Sequence, residues 1–475
     1  MKILFASSEV VPFSKSGGLA DVAYALPKEL AKQGIDIRVV TPFYTHIKQV
    51  YKDKIKDLLW FTIKVGQKDC YVGVKTLYMD GVTYYFIDNL DYFDRGILYG
   101  EWDDGERFGY FSLAVIEMMQ KIDFIPDVLH VNDWHTAMIP ALLVDKYHWV
   151  DAFKDIKKVL TIHNLRFQGI YDPIVLESIF DTYYTMLTDD GGKYYDNLNY
   201  LKAGINFSDV VTTVSPTYAK EIMTSEFGEG LDDVLRHNSW KVTGILNGID
   251  YELNNPETDT HIPYHFSSQS LENKTKNKTS LQQELGLPIR EDAPLLSAVS
   301  RLTDQKGFQL VAQTLEEVLQ QDVQVVILGT GDAVFEEAFI HLANKYPHKC
   351  RALITFDVSL AQRIYAGSDI FLMPSAFEPC GLSQLIALRY GTLPLVHETG
   401  GLKDTVIPYN QFTGEGTGFS FYDFSEYVLL DVIYQALSLY FNEPDKWQQL
   451  VKQAMSQTFD WVFPAKAYIE LYQKH

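Results

Sequence analysis

Along almost its whole length this chain alternates short apolar runs with stretches of helical periodicity. The run "KILFASS" (residues 2–8) is followed by "LADVAYALPKELAKQG" (19–34), whose apolar residues recur at helical spacing and whose Gly34 predicts a C-cap. "IDIRVVTPF" (35–43) then reads as a second buried strand, completing a strand–helix–strand unit. Such alternation builds parallel sheets covered by helices on both faces. Further strands are expected in "PDVLHVND", "KKVLTIHN", "DVVTTVSP" and "VTGILNGID". The segment from Leu59 to Tyr99 departs from this rhythm, with the short alternating runs "YVGVKTLYM" and "VTYYFID", and predicts an antiparallel or loop-rich insertion.

Between about 251 and 280 the pattern lapses. "YELNNPETDTHIPYH" and "LENKTKNKTS" are polar, rich in turn residues and poor in apolar periodicity, as a linker would be. A second α/β series then begins, with strands expected in "PLLSAVSRL", "VQVVILGTG", "RALITF", "DIFLMPS" and "TLPLVHE". The chain therefore reads as two doubly wound α/β domains. The first spans residues 1–245 together with a carboxyl-terminal helix at about 459–475 crossing back to it, and the second spans 246–458. In open α/β sheets ligands bind outside the carboxyl ends of the strands, so the informative residues should follow strands.

Bulk composition excludes several classes. A formal net charge of −21 argues against nucleic acid as the main partner, which calls for clustered Lys and Arg. Three scattered cysteines, Cys70, Cys350 and Cys380, form neither a disulfide framework nor a zinc motif, and no metal is expected. No run approaches the ~18 apolar residues of a membrane span. The amino-terminal apolar run stops at Ala6, too short for a signal peptide's core of ~7–15 residues. A cytoplasmic protein without membrane partners is the expectation.

The loops after strands carry the chemistry. In "SKSGGLA", Gly17 and Gly18 precede a helix, so their N–H groups can point at an anion while Lys15 adds a point charge. A tight turn with a solvated lysine is the alternative. "SRLTDQKG" offers Arg301 and Lys306, which could embrace a diphosphate or stand as a surface basic pair. "LGTGD" contains Gly329 and Gly331 in a strand-to-helix turn. "FEPCGLSQ" places Glu378 before Gly381 and a helix, where a carboxylate serves either as a cap or as a partner for sugar hydroxyls. "HVNDWH" supplies Asp133, "TIHN" supplies His163, and "ILNGID" supplies the turn residue Asn247. None of these loops is G-x-G-x-x-G or a Walker A sequence.

Taken in order, "KSGGLADV", "DGERFGYFS", "HVNDWHTA", "TIHNLRFQG", "ILNGID", "SRLTDQKG", "AGSDIFLMPSAFEPCGL" and "ALRYGTLPLVHETGGLKDTV" resemble bacterial glycogen synthases and plant starch synthases, from Ile3 to about Phe463. The resemblance implies a GT-B fold, two Rossmann-like domains facing a deep cleft, with the donor nucleotide on the second. It implies transfer of glucose from ADP-glucose to the non-reducing end of an α-1,4-glucan such as glycogen, with retention of configuration. It further implies that Lys15 and Gly18 face the donor phosphate and glucose, and that Arg301 and Lys306 neutralise the diphosphate. By the same resemblance Glu378 lies near the donor sugar, with Gly381 supplying the following helix amide, and His163 touches the transferring glucose. Asp133, Asn247 and, less strongly, Asp21 belong to the sugar and acceptor region, and Gly331 to the substrate site.

Three positions depart from the family's usual residues: Ser16 replaces a threonine, Phe356 a tyrosine near adenine, and Gln362 a histidine. A fourth, Ile386, stands where many retaining GT-B enzymes carry a second glutamate; it agrees with the glycogen-synthase branch and disfavours other branches. A related transferase using UDP- or GDP-glucose is the nearest alternative. An NAD-dependent dehydrogenase and a non-catalytic glucan-binding protein are the alternatives from other classes. No residue pair reads as a glycosidase-type nucleophile and acid. The expected chemistry is therefore front-face displacement, in which the leaving phosphate oxygen helps deprotonate the acceptor hydroxyl.

Overall fold

A computed structural model describes residues 1–474. The chain divides into two compact units, Met1–Asn247 with the segment from Trp461 onward, and Gly248–Asp460.

The first unit is organised by nine strands: β1 (Lys2–Ala6), β2 (Asp36–Pro42), β3 (Lys56–Val65), β4 (Lys68–Met79), β5 (Val82–Asp88), β6 (Val128–Asn132), β7 (Lys157–Ile162), β11 (Val210–Thr213) and β12 (Val242–Gly244). They form one sheet in the order β12-β11-β7-β6-β1-β2-β5-β4-β3. The short strands β8 (Ile170–Tyr171), β9 (Lys193–Tyr194) and β10 (Asn197–Asn199) make a separate small sheet. Ile3, Leu4, Phe5 and Ala6 are fully buried, the uninterrupted apolar run of a parallel strand covered on both faces.

The stretch beginning near Leu59 is antiparallel, as expected, but it continues the main sheet and is not loop-rich. β5 pairs in parallel with β2, and β4 and β3 follow it antiparallel, so these strands extend the main sheet to its edge. Their alternation has a cause. Phe61, Ile63 and Val65 are buried, whereas Trp60, Thr62 and Lys64 between them are exposed, giving a sheet margin with one wet face. The helix Gly18–Lys32 crosses from β1 to β2, and Gly34, at φ +87°, ends it in the left-handed conformation. The terminal helix Val462–Gln473 buries Ala465, Tyr468, Leu471 and Tyr472 in the first unit. Tyr472 Oη lies 2.7 Å from His130 Nδ1.

The second unit holds β13 (Leu295–Val299), β14 (Gln324–Leu328), β15 (Cys350–Leu353), β16 (Ile370–Met373), β17 (Leu393–His397) and β18 (Phe419–Phe421). All pair in parallel in the order β15-β14-β13-β16-β17-β18, the 3-2-1-4-5-6 arrangement of a dinucleotide-binding sheet.

The polar segment "LENKTKNKTS" is not a linker but the start of a helix, Leu271–Glu284. Its helical stripe consists largely of long polar side chains, Lys274, Asn277, Lys278 and Gln282, all buried together with Leu281. Lys274 Nζ donates to Ala366 O at 2.9 Å and Thr392 Oγ1 at 3.0 Å, and Lys278 Nζ pairs with Asp369 at 2.7 Å. Gln282 donates to Gln324 Oε1 at 2.8 Å. Hydrogen bonding, rather than apolar area, seats this helix, so a search for apolar periodicity passes over it.

Candidate functional site

Each sheet has a point where the strand order reverses, and a crevice forms there. In the first unit it lies where β1 and β6 adjoin, with β7 next in line. The chain leaving these three strands carries the loop to Lys15, the pair Asn132–Asp133, and His163.

The glycine loop is held from within. Glu9, 2% exposed, accepts hydrogen bonds from Ser16 N at 2.6 Å, Ser16 Oγ at 2.7 Å and Gly17 N at 3.3 Å. The Gly17 N–H, expected to face an external anion, is therefore directed at the chain's own carboxylate. Burial pushes the Glu9 carboxyl up, and the Ser16, Gly17 and Tyr99 donors hold it down. Lys15 Nζ is bonded to both oxygens of Asp21, at 2.9 and 2.8 Å, in a partly exposed ion pair. Gly18 opens the helix, whose cap residue Gly17 supplies no side-chain acceptor.

His163 is fixed by its two neighbours across the sheet. Its backbone N–H donates to Asp133 Oδ1 at 2.7 Å, and its Nε2 lies 2.8 Å from Asn132 Oδ1. Because the Asn132 amide NH2 donates to Ala6 O at 3.0 Å, its oxygen faces the ring. His163 thus carries its proton on Nε2 and presents Nδ1 as acceptor. Burial pushes its imidazole down to about 3, so the ring is neutral at neutral pH. Asp133 takes a left-handed conformation, φ +55°, which for a non-glycine residue stores strain. Desolvation pushes its carboxyl up to about 7, against the backbone N–H groups of His163 and Asn164. Its carboxylate accepts the His163 N–H and so braces the histidine loop. Asn247 is 5% exposed, and its side-chain oxygen has no hydrogen-bond partner among the described residues.

In the second unit the order reverses between β13 and β16, where the chain leaving β13 meets the chain leaving β16. Lys306 Nζ contacts Glu378 Oε2 at 2.7 Å, and Ser375 Oγ donates to the same oxygen at 3.0 Å. Glu378 is 5% exposed, and its carbonyl accepts from Gly401 N at 3.1 Å. Gly307, at φ +78°, permits this approach: a Cβ there would stand 1.9 Å from Pro374 O. Arg301 and Lys306 differ in their partners. Arg301 is exposed and makes no ion pair among the described residues, whereas Lys306 is committed to Glu378.

Gly331 has a packing role. Its N–H donates to Glu336 Oε1 at 2.8 Å, and a Cβ would lie 2.2 Å from Leu302 O, where the loops after β13 and β14 are stitched together. Gly381 is not a helix amide. It takes φ +79° ahead of Leu382, the cap of the helix Ser383–Arg389. Phe356 presents a ring 76% exposed. Gln362, by contrast, is buried, donating to Asp259 Oδ2 and Tyr390 Oη at 3.1 Å.

Sequence reasoning thus missed Glu9, Asn132 and Ser375. Each precedes a singled-out residue by at most seven positions, and all three stand at or just past a strand end, the one signal that could have drawn attention to them. Among the described residues no group of three or more His, Cys, Asp or Glu is arranged to hold a metal ion. Nor, among them, is any helix long and apolar enough to cross a membrane.

With this geometry in place, the similarities to known proteins are informative. A starch synthase catalytic domain family model matches residues 2–237, and a model of glycosyl transferases group 1 matches residues 282–454. The catalytic domain of starch synthase IV from Arabidopsis thaliana, solved bound to ADP and acarbose, is 33% identical with a TM-score of 0.93, over 99% of this chain and 98% of that one. Fold and loops together define a GT-B glycosyltransferase, which sets aside the dehydrogenase and non-catalytic alternatives. Glycogen synthases of Streptococcus agalactiae and Ligilactobacillus salivarius are each 56% identical to the chain, covering 100% of it and 100% of their own length. The chain belongs to the glycogen synthase family.

Proposed function

We propose that the protein transfers glucose from ADP-glucose to the non-reducing end of an α-1,4-glucan, elongating glycogen in the cytoplasm with retention of configuration. The observation that carries this reading is the arrangement after β13 and β16. There Arg301, without an ion pair among the described residues, is open to a diphosphate, and a Lys306–Glu378 pair joins a cation for phosphate to a carboxylate for sugar hydroxyls.

Breaking the glucose–phosphate bond builds positive charge on the anomeric carbon and negative charge on the departing ADP. Arg301, Lys306, Lys15 and the Gly18 N–H stabilise that negative charge, and preorganised electrostatics of this kind is usually the largest catalytic contribution. Because three cations supply it, we expect transfer without added metal. His163, neutral and with Nδ1 free to accept, suits a sugar hydroxyl better than a phosphate. The leaving phosphate oxygen takes the proton of the acceptor hydroxyl on the same face as the new bond forms. The exposed Phe356 ring offers a stacking face to the base.

A donor panel tests the reading. ADP-, UDP- and GDP-glucose are each offered with glycogen, and incorporation of labelled glucose is measured. ADP-glucose is expected to be used with the highest kcat/KM, and preference for another nucleotide overturns the donor assignment.

A further inference from the structure

We infer that Glu9 is a positioning residue for the donor phosphate, acting through the Lys15–Gly18 loop without touching the ligand. The inference rests on the sugar-nucleotide reading above. A carboxylate at 2% exposure is costly unless donors surround it, and apart from the Tyr99 side chain the donors that Glu9 has found come from the glycine loop. Hydrogen bonds to an ionised acceptor are roughly twice as strong as neutral ones. Two backbone amides and a hydroxyl therefore clamp Ser16 and Gly17.

Glu9 is itself anchored. Ser7 Oγ donates to its carbonyl at 2.7 Å, and the next residues close a turn through Ser14 N to Val10 O at 2.9 Å and Val10 N to Ser14 Oγ at 3.2 Å. The path from β1 to the loop is thus fixed at both ends. Turning the Ser16 and Gly17 amides inward has a consequence for recognition. The donors this loop retains for a phosphate are the Gly18 N–H, at the start of a helix with no side-chain cap, and Lys15 Nζ. Lys15 directly precedes the clamped Ser16, so its backbone is held while its side chain can exchange Asp21 for phosphate. The sequence reading gave the loop three phosphate-facing groups. Glu9 removes one and aims the other two.

The test compares Glu9→Ala, Glu9→Gln, Lys15→Ala and the Glu9→Ala/Lys15→Ala double variant in the full-length enzyme, each checked for folding by its thermal melt. Misplacing a catalytic group by about 1 Å can cost on the order of 10²-fold. Glu9→Ala is expected to lose about that factor in kcat/KM for ADP-glucose with the KM for glycogen unchanged. Glu9→Gln, which keeps one carbonyl acceptor for Ser16, should recover part of the loss. Lys15→Ala should cost far less in the Glu9→Ala background than alone. Unchanged kcat/KM for ADP-glucose in either folded Glu9 variant overturns the inference. So does an equal loss toward both substrates, or Glu9 and Lys15 effects that simply multiply. Should Glu9→Ala not fold, the isosteric Glu9→Gln carries the same comparison. A wild-type enzyme that fails to use ADP-glucose refutes the proposed function instead, whatever the Glu9 variants do.

Discussion

Replacing Lys306 with alanine removes two things at once, and a second substitution separates them. In the native protein Glu378 is 5% exposed and is held by Lys306 at 2.7 Å and Ser375 at 3.0 Å. Without the lysine, a buried carboxylate keeps a single hydroxyl as side-chain partner. Breaking a buried ion pair costs about 3–5 kcal/mol, and because Lys306 retains some solvent access the lower end, about 3 kcal/mol, applies here. At roughly 2–4 °C per kcal/mol for a unit of this size, the transition of the second unit should fall by about 6–12 °C. Activity should fall on its own account, by on the order of 10²–10³, because a cation facing the leaving group is gone. Adding Glu378→Gln to Lys306→Ala replaces the stranded charge with a neutral amide. Most of the lost melting temperature should then return while activity stays low. Calorimetry paired with incorporation of glucose from ADP-glucose into glycogen reads both quantities. The reasoning is refuted if the double variant melts no higher than Lys306→Ala, or if Lys306→Ala alone keeps most of the native rate.

Two further outcomes are expected. Phe356→Ala should raise the KM for ADP-glucose with little change in melting temperature, since the exposed ring supports no core, and base stacking is worth about 1–3 kcal/mol by alanine substitution; Phe356→Tyr should bind the donor as well as the native enzyme, and equal KM values for all three exclude stacking there. Burial pushes Lys274 down to about 7, against an ordinary value of about 10.4, so between those pH values the unfolded chain binds more protons and this lysine's contribution to stability rises with pH. Melts at pH 7.5 and 9.5 should therefore show the native protein gaining on Lys274→Met, and a gap independent of pH would contradict a depressed lysine.

How much of this was legible in the sequence depended on the kind of interaction. The parallel strands announced themselves because strands such as β1 and β14 are buried on both faces and are apolar after their first residue. The loops after them stood out because phosphate chemistry needs glycine and cations where helices begin. The helix Leu271–Glu284 did not, because its buried stripe is built from Lys274, Asn277, Lys278 and Gln282, whose burial is justified only by partners such as Asp369 and Gln324 elsewhere in the chain. The partners of the functional residues were hidden for the same reason. Nothing in the spacing of "SRLTDQKG" says that Lys306 meets a carboxylate 72 residues on and leaves Arg301 alone.

These pairings also bear on how a chain with a net charge of −21 can take an anionic substrate. Lys15 rests on Asp21, Lys306 on Glu378, and the Ser16 and Gly17 amides on Glu9. Internal acids thus occupy cations and donors that the reaction would direct at phosphate. The two kinds of pairing differ in depth. Glu9 and Glu378 are buried and fix geometry, whereas Asp21 and Lys15 are partly exposed, and exposed ion pairs are worth about 0–1 kcal/mol. Lys15 can therefore leave its partner for a phosphate at little cost. Lys306 cannot leave Glu378 without stranding a charge, so in the proposed role it would serve phosphate and carboxylate together. Lys15, beside a partly exposed acid, is thus the cation more readily released, and Lys306, beside a buried one, the cation held in place.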